Sequence, residues 1–328
     1  MQPKPFVRPP IVERLDTESV EPGRVQRFRV VMTENATGNE TLVPVVVLRG
    51  ATAGPVVGVT AAIHGNELNG ILVVHRLMEH IEKTGLIKGA VVAVPIVNIP
   101  GYLRMQREFE DGCDLNRIMP GSATGDESEL YAHRFVERVL SRFNYLLDLH
   151  TASTGRANSL YVRANMRDPT TAQLARLIAP QIIVHSEDHD GTLRGTAVDL
   201  GIKALTLEVG DPQRFQRGLI RSARIGLQEM LNHLGLIDND GDPEEREVVE
   251  CSRSYWTYTD RGGVLSVISE VSETVKAGQV VARLHNVWGD MVREYEAPED
   301  GIIVGRSTNP AARAGSRIIH LGVPARGV

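Results

Sequence analysis

Cysteine is scarce in this chain. Cys113 and Cys251 are the only two among 328 residues, so no disulfide framework is available and the usage suits a reducing compartment. A basic excess is also missing: 36 Lys and Arg stand against 41 Asp and Glu, a net charge of -5. With no basic run or interleaved aromatic stripe either, nucleic-acid binding is excluded, because affinity for phosphates comes mainly from Lys and Arg. No apolar run approaches the ~20 residues that span a bilayer, so no membrane association is expected. The first ten residues lack the apolar core of a signal peptide. A cytoplasmic protein is therefore expected, in which the sequons at Asn35 and Asn39 carry no sugar.

What is present is ordinary for a globular protein, 42% hydrophobic and 23% charged. Short β-rich runs alternate with amphipathic helical patterns. Residues 24–32, 42–48, 56–63, 90–97, 145–149, 158–163, 182–184 and 204–209 read as strands. Those at 56–63 and 90–97 are apolar enough to be buried on both faces. Helical spacing marks 67–83, stopped by Gly85, then 127–141, 169–178 and 215–234, and 98–121 reads as a long loop. This predicts an α/β fold, a mostly parallel or mixed sheet with helices on both faces, over residues 1–235. Residues 236–247 are acidic and turn-rich and read as a linker. From 248 to 328 glycine-marked turns recur between short strands, the rhythm of a small all-β module. No internal repeat or low-complexity tract is present.

Four constellations fall at strand ends, where open α/β sheets bind ligands. His64 closes a buried strand and Glu67 opens the following helix, with Gly65 and Gly70 allowing a close backbone turn. His150 closes another strand. Two imidazoles and a carboxylate are the three-protein-ligand set of a catalytic zinc, and Asp148, on the same strand face as His150, is a candidate to orient it. Glu208 sits in an apolar strand, where a carboxylate needs a reason; service as general base beside activated water is one. The 98–121 loop carries Arg104, Arg107, Asn116 and Arg117, arginines able to clamp a substrate carboxylate or polarise a carbonyl.

With these residues in view, the chain resembles the succinylglutamate desuccinylase/aspartoacylase family of the zinc carboxypeptidase clan. The motifs are His64-Gly-Asn-Glu67 with Gly70, Asn98 to Gly101, Arg107, Asp114-Leu-Asn-Arg117 with Pro120-Gly121, Asp148-Leu-His150, and Thr206-Leu-Glu208-Val-Gly210. The resemblance spans most of residues 25–322. It implies one Zn2+ per chain on His64, Glu67 and His150, and hydrolysis of a small N-acyl amino acid or similar amide. Glu208 would be base and proton shuttle, Arg107 would polarise the scissile carbonyl, and Asn116 and Arg117 would hold the substrate carboxylate. Tyr161 and Arg163 are candidate pocket residues by position. Met119 stands where relatives carry Phe. A metallocarboxypeptidase acting on peptides and a non-catalytic metal-dependent binder are the rival readings.

The C-terminal module resembles the family's β appendage and a biotinyl/lipoyl-like fold. The 285–291 stretch has no lysine, so no lipoyl or biotinyl attachment is expected; the module would shape the pocket entrance or make contacts in a homo-oligomer. Trp256 and Trp288 are expected in its core, and His75, His80, His133 and His233 on helices as packing or surface residues. The run His185-Ser-Glu187-Asp188-His189-Asp190 reads as a solvated loop that could rim the pocket. The stretch from Asp238 to Asp242 fails as a calcium loop because Pro243 replaces the required glycine.

Overall fold

The computed structural model describes residues 7–187, 191–238 and 247–325. In chain order its elements are β1 (Ile11–Val12), β2 (Gln26–Glu34), β3 (Glu40–Arg49), β4 (Thr52–Ala61), α1 (Asn69–Thr84), β5 (Lys88–Val94), α2 (Ile99–Arg104), α3 (Glu127–Arg138) and β6 (Tyr145–His150). Then follow β7 (Arg156–Asn158), β8 (Leu160–Ala164), α4 (Pro169–Leu177), β9 (Ile182–His185), α5 (Leu193–Asp199), β10 (Lys203–Val209) and α6 (Arg217–His233). The C-terminal part holds β11 (Val249–Tyr258), β12 (Gly263–Val267), β13 (Thr274–Val275), β14 (Val280–His285), β15 (Met291–Glu296), β16 (Gly301–Ser307), β17 (Ala311–Ala312) and β18 (Arg317–Pro324). Among the described residues no helix is long and apolar enough to cross a membrane.

One mixed sheet runs through the molecule in the order β1-β2-β3-β5-β4-β6-β10-β8-β9-β11-β18-β16-β13. Its central strands β5, β4, β6 and β10 are parallel, and their side chains alternate between two cores. Val91 and Ala93 of β5 join one core with Val73, Leu77 and Ile81 of α1 and Leu227 and Leu231 of α6. Val92 and Val94 join the other with Tyr131 and Phe135 of α3 and Leu193 and Ala197 of α5. Helices thus cover both faces, which is why these strands read as unbroken apolar runs.

The expected long loop 98–121 contains α2. Asn98 caps it, accepting from the Gly101 amide at 2.8 Å, and Pro100 occupies its first turn, where a missing N–H costs nothing. Leu236 and Ile237, the first residues of the expected linker, are buried in the α1/α6 core. The stretch 239–246, which holds most of that linker and the rejected calcium loop, lies outside the described residues.

The C-terminal strands divide. Four form a separate sheet, β15-β14-β12-β17. The others extend the central one: β11 pairs parallel with β9, and β16 takes β7 as an antiparallel neighbour. The tryptophan expectation fails here. Trp288, at the β14–β15 turn, is 84% exposed, and Trp256 on β11 lies against a cavity instead of filling the core. Small aliphatic residues such as Leu265, Val281 and Leu284 fill that core instead.

Candidate metal centre

The central strands deliver the candidate ligands to one end of the sheet. After β4, Ala62 adopts a left-handed φ of 51°, a strained conformation for a residue with a side chain. Amides of Val97 and Asn98 bond the carbonyls of Ala61 and Ala62 at 2.9 and 3.0 Å and hold this exit. Glu67 lies in the turn before α1, its amide bonded to the His64 carbonyl at 3.1 Å, so the helix starts two residues later than the spacing suggested. Neither Gly65 nor Gly70 has a left-handed φ. Their role is close approach: a Cβ on Gly65 would stand 2.0 Å from the carbonyl carbon of Gly101, and one on Gly70 2.9 Å from the Cβ atoms of Ala61 and Leu149.

The two imidazoles face one carboxylate. His64 Nδ1 lies 2.9 Å from Glu67 Oε1 and His150 Nδ1 lies 3.1 Å from Oε2. On their far sides, His64 Nε2 is 3.1 Å from Asp114 Oδ1 and His150 Nε2 is 2.7 Å from Asp148 Oδ2. A carboxylate on each Nε2 favours the proton there, leaving the Nδ1 lone pairs pointing at the Glu67 oxygens. Lone pairs facing lone pairs in a buried space need a cation between them. In keeping with this, His64 Nδ1 is buried and, although close to Glu67, lacks the alignment of a hydrogen bond. One ligand atom from each of His64, Glu67 and His150 can be chosen so that all lie within 4.8 Å of one another; the three could hold a metal ion.

The buried charges of the centre act strongly on one another. Burial disfavours the ionised form of Glu67, yet the charges of His64 and His150 and the hydrogen bond with His150 hold it well below the usual carboxylate range. For His150 burial acts downward, but Asp148 and Glu67 raise it well above an ordinary imidazole. Asp114, against burial, is held low by His64 and Arg107. The centre has a surplus of negative charge.

Glu208 stands opposite His150 in the parallel β6–β10 pairing, so both side chains leave the same face of adjacent strands. The same register puts Thr60 beside Asp148, whose Oδ1 accepts from Thr60 Oγ1 at 2.7 Å. Glu208 accepts from Asn158 Nδ2 at 3.2 Å, lies 3.8 Å from Arg163 Nε, and is raised by burial. Arg107 is heavily engaged: Nε and Nη2 donate to Asp114 Oδ2 at 3.1 and 2.9 Å, and Nη1 to Glu67 Oε1 and Ser153 Oγ at 3.1 and 3.0 Å. Asn116 Oδ1 accepts from the Leu193 amide at 2.8 Å, and Arg117 donates to the Asn116 carbonyl. All seven of these sequence-derived residues line one cavity of about 360 Å3, which Tyr161 and Arg163 also line.

One match decides the family. The profile of the succinylglutamate desuccinylase/aspartoacylase catalytic domain covers residues 53–234. The chain belongs to this family. It is 25% identical over 303 residues, 88% of this chain and 87% of the relative, to N-alpha-acetyl-L-2,4-diaminobutyric acid deacetylase from Halomonas elongata. Its fold matches the product-bound ectoine utilization protein EutE (DoeB) from Ruegeria pomeroyi, with a TM-score of 0.80, 21% identity, and coverage of 93% of this chain and 97% of that one. An aspartoacylase family protein from Mesorhizobium loti gives a TM-score of 0.81 at 21% identity, covering 95% and 98%.

Several pocket residues escape a reading of the sequence. Trp256, Arg317 and His320 come from β11 and β18, beyond the family profile, and complete the pocket wall. Arg156 and Asn158 arrive on β7, which is placed by its pairing with β16. Nothing local in the sequence marks these residues, because their meeting depends on long-range strand pairing. Ser186, from the run at 185–190, also lines the pocket. Glu187 pairs outward with Arg167 at 2.6 Å, and residues 188–190 lie outside the described residues.

Proposed function

We propose that this chain is a zinc-dependent hydrolase that cleaves the amide bond of a small N-acyl amino acid or similar amide, with His64, Glu67 and His150 as the zinc ligands. The convergence of two imidazole Nδ1 atoms on the Glu67 carboxylate, each ring oriented by Asp114 or Asp148 at its Nε2, carries this reading. The Halomonas relative, a deacetylase named for an N-acetylated amino acid, supports the substrate class.

When bound, zinc would supply Lewis acidity that makes water a nucleophile near neutral pH. Glu208 takes the proton from that water on its carboxylate and passes it to the leaving nitrogen. Burial, which raises its affinity for a proton, moves it toward the range a base needs. The hydrogen bond from Asn158 and the nearby guanidinium of Arg163 fix its orientation. Arg107, held by Asp114, keeps an Nη2 hydrogen available for the carbonyl oxygen as negative charge develops there. Asn116, whose oxygen is taken by Leu193, presents its amide nitrogen, and with Arg117 would hold the substrate carboxylate. A cavity of about 360 Å3 walled by Trp256 and His320 suits a small molecule better than a polypeptide.

The test is metal analysis of purified protein joined to a screen of N-acyl amino acids with and without chelator. A single zinc per chain and chelator-sensitive release of free amino acid are expected. Full turnover in protein stripped of metal would overturn the proposal.

A further inference from the structure

A second cavity, of about 390 Å3, adjoins the first across Arg156 and Arg317, the two residues that line both. Their setting is unusual. Both guanidiniums lie over the indole of Trp256, at 5.6 and 5.3 Å from the ring centroid. The indole is itself stacked on the buried ring of His320, at 5.2 Å and 11°, and His320 is anchored through Nε2 to Ser254 Oγ at 2.8 Å.

Stacking on an aromatic face positions a guanidinium without using its in-plane N–H donors. Among the described residues no carboxylate comes within salt-bridge reach of either guanidinium, and neither donates a side-chain hydrogen bond. By contrast Arg107 is bound to Asp114 and Glu67, and Arg163 to Tyr161 and, more distantly, Glu208. Burial and the nearby charges of Arg317 and Arg107 push the Arg156 guanidinium down. His320, buried and surrounded by Arg163, Arg317 and Arg156, is held well below an ordinary imidazole and stays a neutral shelf. Two like charges are thus held near each other at a cost that an anion between them would relieve.

We propose that Arg156 and Arg317 form an anion subsite that grips a terminal carboxylate of the substrate, on the side of the catalytic pocket opening into the outer cavity. The inference rests on the amide-hydrolase reading for what else the molecule carries. It adds that the preferred substrate is elongated, with its scissile amide near His64 and His150 and an anionic tail reaching the Trp256 shelf. The planar two-donor edge of a guanidinium matches a carboxylate, and two such edges on one indole read its position as well as its charge. Arg117, from the opposite loop, is left for a second carboxylate nearer the amide.

The experiment uses the full zinc-loaded chain and pairs of N-acyl amino acids with the same scissile amide. One of each pair ends in a carboxylate several bonds from the amide, and the other in the corresponding neutral carboxamide. The acid is expected to be preferred in kcat/KM by about ten- to a hundredfold, the worth of one charge-assisted contact. In Arg317→Gln and Arg156→Gln that preference should shrink toward unity, mainly through the KM of the acid. Calorimetric titration with adipate, against the monoacid hexanoate, reads the same subsite without turnover. Arg317-dependent adipate binding with no amide hydrolysed would leave the subsite standing and remove the hydrolase reading. Brisk hydrolysis with equal kcat/KM for acid and carboxamide in the unaltered protein would overturn the subsite and leave hydrolysis intact. A preference that survives both substitutions would also overturn it.

Discussion

Asp148→Asn isolates the contribution of the groups behind the metal ligands. Asp148 is 1% exposed and spans two partners, His150 Nε2 at 2.7 Å and Thr60 Oγ1 at 2.7 Å. Asparagine keeps the shape but has one acceptor oxygen. If that oxygen serves His150, the amide nitrogen faces Thr60, whose hydroxyl must turn from donor to acceptor and leave its hydrogen unpaired in a buried site. If it serves Thr60, two donors confront each other at His150. Either way the negative charge that makes the imidazole a strong ligand is gone. Loss of such a partner weakens metal binding by roughly 10–100-fold, which is about 1.4 to 2.7 kcal/mol. Competition for zinc against a chromophoric chelator measures this directly, with a thermal melt to check that the variant folds. Because Asp148 acts through His150, turnover at saturating zinc should fall far less than affinity does. An Asp148→Asn protein that holds zinc as tightly as the parent would refute the reasoning, and with it the claim that these carboxylates aim the imidazoles.

Two further substitutions probe separate parts of the molecule. Glu208→Gln should keep zinc affinity near the parent value and lower kcat by about 10²- to 10⁴-fold, the usual worth of a general base; a variant with undiminished kcat would take that role away. Asp168 caps α4, accepting from the Thr171 amide and hydroxyl at 2.8 and 2.7 Å and from Lys203 Nζ at 2.7 Å. The hydrogen bond from Lys203, with those from Thr171, holds it down to about 2. Its folded value lies below the unfolded one, so its stabilisation is complete above about pH 4 and fades as pH falls toward 2. Asp168→Ala should therefore cost about 1 kcal/mol at pH 7, with the gap in urea midpoint narrowing below pH 4. A gap that stays constant down to pH 2 would contradict the assignment.

Features of the fold that depend on local pattern can be read from the sequence, and those set by distant pairing cannot. β5 is legible because Val91 to Val94 feed two cores at once, and α1 because its apolar residues recur on one face and Gly85 ends it, its amide closing on the Ile81 carbonyl. α2 is hidden by Pro100-Gly101, which punctuates loops elsewhere but here begins a helix capped by Asn98. The candidate ligands are legible because they sit at the end of a buried strand or in the turn that follows one, where a polar residue stands out. Trp256 misleads for the opposite reason. An aromatic residue in a β-rich segment usually packs inward, and only the β11–β18 pairing, which sets Trp256 opposite His320, reveals that this face of β11 looks into a cavity.

Charge links the metal centre to the substrate it would serve. Glu67, Asp114 and Asp148 surround two imidazoles whose Nδ1 lone pairs point inward, and Arg107 is the cation bound directly among them. Three carboxylates against one guanidinium leave two negative charges, the amount a divalent ion cancels. A monovalent ion would leave a buried charge without a partner, a costly arrangement. By charge alone, a divalent ion would fit this centre better than a monovalent one. With a dication in place, Glu208 would still be offset by Arg163. Arg156 and Arg317 then remain on the pocket wall as positive charge without a carboxylate partner among the described residues. A substrate that brings its own carboxylate would give these guanidiniums the partner that no carboxylate among the described pocket residues supplies. Neutralising Arg317 should therefore alter which amide is chosen while leaving zinc affinity where it was.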